Sequence, residues 1–134
     1  MSTKLTRRTL NLTAAAAFLG LAAAPAIATD AQKAEPVTLI NAFEVPADQI
    51  EETILFWEKA RDFLQTQPGY ISTRLHQSLS SDAKFQLVNI ALWESPEAFQ
   101  SATRKMRESG LGTGERKTVF HAALYKVVRT DEGD

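Results

Sequence analysis

Cysteine is absent from this chain of 134 residues. Its absence excludes a disulfide, a thiolate nucleophile, an iron–sulfur cluster and a cysteine-ligated zinc, whatever the compartment. Histidine occurs only at His76 and His121, and no Glu-x-x-His or His-x-x-x-His spacing exists, so no dedicated transition-metal site is expected. An excess of either charge is lacking as well, with 15 basic side chains against 16 acidic ones. Without a basic cluster the chain makes a poor nucleic-acid binder. A phosphate-binding glycine loop is also missing: the glycines between Gly110 and Gly114 do not follow a strand and read as loop.

What is present begins with an export signal. Lys4, Arg7 and Arg8 precede an apolar stretch from Leu12 to Ala24 and the small residues Ala26-Ile27-Ala28. This is the three-part plan of a cleavable secretory signal over residues 1–28, with cleavage after Ala28. The stretch is too short and alanine-rich for a spanning helix, so no stable membrane insertion is expected after cleavage. The paired arginines of Thr6-Arg7-Arg8-Thr9-Leu10-Asn11-Leu12 resemble the twin-arginine export motif, which predicts a periplasmic or secreted protein. Cleavage leaves 12 basic against 16 acidic side chains, a formal charge of −4.

Residues 29–36 are polar, lack periodicity and end in Pro36, so they read as a linker. One domain is expected over 37–128, with a short tail over 129–134. Hydrophobic residues make up 44% of the chain, enough for one globular core at this length and not for two.

Within the domain, residues 37–45 alternate as a strand, with Val37, Leu39, Asn41, Phe43 and Val45 on one face. Asp48, with Glu51 three residues on, predicts a capping box opening a helix over about 49–66. Its stripe is Ile50, Ile54, Trp57, Ala60, Arg61 and Leu64, and Pro68-Gly69 ends it. Residues 70–78 and 84–93 read as a hairpin about a turn at Ser80-Ser81-Asp82. Ser95 and Pro96 open a second helix, with Ala98, Phe99, Ala102 and Met106 inward. A loop over 109–114 leads to a last strand over 118–128. The order β-α-β-β-α-β is the ferredoxin-like α+β plan. Helices on one sheet face leave the other, carrying Ile40, Ala42, Ile71, Leu75, Val88, Ile90 and Leu92 or their alternates, to be covered by a second copy.

Several stretches together resemble the antibiotic biosynthesis monooxygenase (ABM) family. They are Ile40-Asn41-Ala42-Phe43-Glu44-Val45-Pro46, the helix residue Trp57, the corner Gln67-Pro68-Gly69-Tyr70, Arg74-Leu75-His76, Val88-Asn89-Ile90-Ala91-Leu92-Trp93-Glu94-Ser95 and Glu97-Ala98-Phe99. The resemblance implies a dimeric α+β barrel with a pocket between sheet and helices. It also implies one of several activities: oxidation of anthrones or quinols by molecular oxygen without a cofactor, haem degradation, or isomerisation of small signals. The haem-degrading branch resembles a site with an asparagine on the first strand, a tryptophan in the second helix and a histidine about ten residues beyond. Here Asn41 is kept, but Ala102 and Gly112 stand in place of the other two.

Asn41 is an amide in the middle of an apolar strand face, and such a group must bond something. It bonds either neighbouring backbone or, as the resemblance implies, a phenolate or reactive oxygen. Asn89 follows the same logic. His76 is either a proton acceptor or a rim histidine; His121 and Tyr125 share one strand face, toward pocket or partner. Phe43, Trp57 and Trp93 are core or cavity wall, Trp57 above all. Arg61 and Arg74, the latter expected on the face of Tyr70 and His76, either bind an anionic substrate or stay solvated. The expectation is an exported, cofactor-independent monooxygenase of an electron-rich aromatic, with Asn41 and His76 catalytic. The alternative is a non-enzymatic dimeric module holding haem or a quinone.

Overall fold

Alternation and helical spacing both become visible in the computed structural model, which describes residues 35–112, 114 and 116–133. The expected signal segment 1–28 and most of the linker 29–36 lie outside the described residues. The elements run β1 (Val37–Glu44), a one-turn 3-10 helix (Ala47–Gln49), α1 (Ile50–Leu64), β2 (Tyr70–Gln77), β3 (Leu87–Trp93), α2 (Pro96–Glu108) and β4 (Val119–Tyr125). The strands form one antiparallel sheet in the order β2-β3-β1-β4. The ferredoxin-like α+β plan expected from the sequence is the fold observed. Among the described residues no helix is long and apolar enough to cross a membrane.

The register places Leu39, Asn41 and Phe43 of β1 beside Ala91, Asn89 and Leu87 of β3 and beside Leu124, Ala122 and Phe120 of β4. These side chains form the inner face, beneath the helices. Two separate apolar clusters stand on it. One joins Leu39, Ala91, Trp93 and Ala102 with Phe99 and Leu64; the other joins Phe43, Val45 and Leu87 with Ile50, Ile54, Trp57 and Leu75. Neither helix covers the middle of the sheet.

The local starts and stops have individual causes. Ser95 caps α2, its Oγ accepting from the Ala98 N–H at 3.1 Å, with Pro96 in the first turn. Gly69 turns the chain from α1 into β2 with φ +88°, and a Cβ there would lie 2.4 Å from the Cβ of Ala98. Only glycine fits that corner.

The expected capping box does not form. A 3-10 turn, closed by Gln49 N–H to the Pro46 carbonyl at 2.9 Å, makes Gln49 the N-cap and leaves Asp48 outside the helix start. The Gln49 carbonyl instead accepts from Thr53 Oγ1 at 2.7 Å. β3 begins at Leu87 rather than near residue 84, because Gln86 Nε2 binds the carbonyls of Ser80 and Ala83 and holds residues 78–86 as a longer loop. β4 stops at Tyr125, whose partner Thr38 is next to the first residue of β1; beyond it there is no strand to pair with.

Candidate active site

Where the helices part, the inner face opens into a cleft of about 660 Å³. β1 contributes Leu39, Asn41 and Phe43 to its floor, β3 Asn89, Ala91 and Trp93, and β4 Phe120 and Ala122. Helix α1 lends Phe56, Trp57, Ala60 and Arg61 to one wall; α2 and the loop after it lend Phe99, Met106, Arg107 and Leu111 to the other. Aromatic rings meet edge to face around it. Phe43 and Phe120 lie 4.7 Å apart, Tyr70 and Trp93 5.5 Å, and Trp93 and Phe99 5.7 Å. Such a surface suits a flat aromatic ligand.

The polar groups on this floor are few and are arranged by their neighbours. Asn89 Oδ1 accepts from Trp57 Nε1 at 3.0 Å and from Thr73 Oγ1 at 2.7 Å. Because an indole N–H can only donate, this identifies which end of the Asn89 amide faces Trp57, and two donors fill both lone pairs of that oxygen. The Nδ2 hydrogens are left available for a bound molecule. Asn41, directly across the ladder from Asn89, is the counterpart: its Oδ1 is buried and has no hydrogen-bond partner. The floor therefore offers an oriented donor beside an unpaired acceptor. Leaving a buried carbonyl unmade costs about 1–3 kcal/mol, so its presence calls for an occupant.

Two cations stand on the helix side. Arg61 lies with its guanidinium carbon 5.2 Å from the Trp57 ring centroid and pairs with Asp62 at 3.0 Å. Arg107 lines the facing wall. The residues lining the cleft include no carboxylate and no imidazole.

Of the residues singled out in the sequence, Asn41, Phe43, Trp57, Arg61, Asn89 and Trp93 are brought together here. His76 and Arg74 are not. A register shift between Tyr70 and Ser72 inserts an extra residue at Ile71, so Tyr70 stays on the inner face with Thr73 and Leu75 while Arg74 and His76 turn outward. The expectation that Arg74 shares the face of Tyr70 is corrected by this bulge, and Leu75 moves from the outer face to the inner. His76 Nδ1 lies 3.3 Å from the Val88 carbonyl on the exposed face. His121 is also outward, with Nε2 2.7 Å from Glu44 Oε1 and its ring against Phe85. Tyr125 shares that side.

Phe56, Tyr70, Thr73, Arg107 and Phe120 line the cleft without having been singled out for it. Phe120 falls on the inner face by the alternation of β4, but only the pairing with Phe43 reveals the phase.

Residues 36–105 match the family model described as antibiotic biosynthesis monooxygenase. Among solved structures, a monooxygenase candidate from Shewanella loihica is 49% identical, over 72% of this chain and 97% of that one, with a TM-score of 0.65. The heme-degrader MhuD from Mycobacterium tuberculosis, solved with two hemes in its active site, is 26% identical over 72% and 99%, with a TM-score of 0.54. SnoaB, a cofactor-independent oxygenase from Streptomyces nogalater, is 22% identical over 72% and 97%, with a TM-score of 0.50, a likeness of fold. No curated protein matches.

Proposed function

The chain belongs to the antibiotic biosynthesis monooxygenase family, and from that premise we propose that it oxidises an electron-rich aromatic, a quinol or anthrone, with molecular oxygen and no cofactor. The observation that carries the reading is the amide pair on the cleft floor. The unpaired Asn41 Oδ1 accepts the substrate's phenolic O–H and fixes its orientation. The Nδ2 of Asn89, held in place through Trp57 and Thr73, donates to the negative oxygen that forms when the proton leaves. In an apolar cleft such a donor acts with little screening and without reorganising. No carboxylate or imidazole lines the cleft, so the proton passes to solvent, and the cationic Arg61 and Arg107 favour the deprotonated substrate.

The anion then passes an electron to oxygen, and the resulting radicals combine at the activated carbon. For an anthrone, the ring methylene becomes a carbonyl: one oxygen atom enters the product, the other leaves as water, and the electrons come from the two C–H bonds. Flat rings slot between the walls that carry Trp57 and Phe99. His76, outside the cleft, has no part in these steps.

Haem fits this chain poorly. Both histidines lie on the opposite sheet face, and Gly112 lines the cleft near where the haem-degrading pattern has its histidine. A second reading, a dimeric module that holds a quinone without converting it, draws support from the lining residues' having neither a carboxylate nor an imidazole.

The reading includes a second copy over the outer face, where Ile90 is 38% exposed, Leu92 37% and Tyr125 50%, an apolar surface that most simply pairs with itself. It also includes export, on the strength of Arg7-Arg8 and the Ala26-Ile27-Ala28 site. The test is oxygen uptake by the purified protein, with chelator present, against anthrones and hydroquinones. Uptake that needs protein, survives chelator and falls in Asn41→Ala supports oxygenation; ligand binding without uptake supports the holding module.

A further inference from the structure

We infer that the substrate carries an anionic substituent, a carboxylate on the aromatic body, gripped by Arg61 and Arg107 while its hydroxyl meets Asn41 and Asn89. The inference rests on the reading of the cleft as a site of aromatic oxidation, and it narrows the substrate class.

Two guanidinium groups line one apolar cleft from facing helices, and no acidic side chain lines it with them. The chain after residue 28 is acidic overall, with 12 cationic against 16 anionic side chains, yet the only charged side chains lining this cleft are two cations. Arg61 is held by stacking on Trp57, the residue that also holds Asn89. Its Nε and Nη2 both reach a single oxygen of Asp62, at 3.1 and 3.0 Å. That pairing leaves Nη1 unused and is not the two-oxygen fork that binds a carboxylate best. The Asp62 side chain is 62% exposed, and an ion pair so open to water exchanges readily for a better-placed anion. Arg107 has no ion pair among the described residues.

A neutral ring system would leave both cations beside apolar ligand surface. A carboxylated ring system gives them a partner and, by sharing the pull of the same cations, is bound in one orientation, hydroxyl toward the floor and carboxylate toward the helices. A planar guanidinium stacked on an aromatic ring suits this role better than a lysine would.

The test compares a naphthol with the corresponding hydroxynaphthoate by titration calorimetry on the purified protein, alongside oxygen uptake with naphthohydroquinone and its ring carboxylate. The hydroxynaphthoate should bind about tenfold or more tightly, with the preference shrinking as salt is added. Arg61→Gln and Arg107→Gln should each cut the preference severalfold and together remove it; Arg107→Lys should restore part of it. Equal binding of the two ligands, or a preference that survives the double substitution, overturns the inference. Oxygen uptake from the uncharged hydroquinone with no preference for its carboxylate overturns this inference alone. Failure of both ligands to bind and of both hydroquinones to react overturns it together with the proposed function.

Discussion

Asn41→Leu should make the protein more stable and less active at once. In the free protein Asn41 Oδ1 is buried without a partner, between Leu39 and Phe43 on an apolar strand face. An unpaired buried carbonyl costs about 1–3 kcal/mol, and leucine, with the same branched shape, removes that cost while adding apolar contact. Part of the gain is lost because the Asn41 Nδ2 gives up whatever solvent it meets. A net gain of about 1–2 kcal/mol is expected, or roughly 5–15 °C in Tm for a domain near this size. Thermal unfolding followed by circular dichroism reads it directly. The same substitution removes the acceptor that orients the phenolic hydroxyl, and turnover should drop about a hundredfold, the range seen when one preorganised polar group is deleted from a site. A fall in Tm would mean that the amide is already satisfied in the free protein, and the argument that it awaits a ligand would be refuted.

Trp57→Phe deletes the indole donor to Asn89 while keeping a ring in the wall; stability should fall by about 1–2 kcal/mol. If the tryptophan positions Asn89, kcat also falls about tenfold with KM nearly unchanged, whereas a loss of stability with unchanged kcat would reduce Trp57 to packing. Gly69→Ala combines a positive φ of 88° with a Cβ placed 2.4 Å from that of Ala98. It should cost at least about 2 kcal/mol in a thermal melt, and an unchanged Tm would show that the corner can shift. Ile90→Lys puts a charge in the middle of the outer face, where Ile90 pairs with Ile40 and the cationic Arg74. Sedimentation should show the proposed dimer turned monomeric, since an unpaired buried charge costs several kcal/mol, and a variant that stays dimeric would place the interface elsewhere.

Much of the site was legible because its residues sit on long periodic elements. Alternation in β1 put Leu39, Asn41 and Phe43 on one face, and helical spacing put Trp57, Ala60 and Arg61 on one stripe; the cleft uses both sets. The failures come from what periodicity does not encode. A single extra residue at Ile71 reverses the phase of β2, exchanging Thr73 for Arg74 and removing His76 from the site. Phe56 and Arg107 flank the stripes of their helices and matter only because those helices diverge. The phase of β4 depends on which residue of β1 it pairs with, and that long-range choice leaves no local mark, so Phe120 went unnoticed.

The divergence of the helices is what makes a site of this face. Helix α2 and the last turn of α1 are anchored by the cluster around Trp93 and Ala102, the rest of α1 by the one around Phe43 and Leu87, and between the clusters the sheet presents Asn41, Asn89 and Thr73 in place of apolar side chains. Had these three been apolar, the helices would gain by closing over them, and the cleft would be lost to core packing. As amides and a hydroxyl they resist being covered by hydrocarbon. Trp57 meets that resistance halfway, with its ring in one cluster and its N–H on Asn89. The same hydrogen bond therefore props the wall of the cleft and orients the donor within it. For that reason the consequences of changing Trp57 should appear in kcat as well as in Tm, and Asn89→Asp separates the oriented amide from the open space. The carboxylate keeps an acceptor for Trp57 and Thr73 but has no N–H to give; its buried charge lowers Tm, and below that Tm the folded variant should keep the wall, read from Trp57 fluorescence, while turnover is lost.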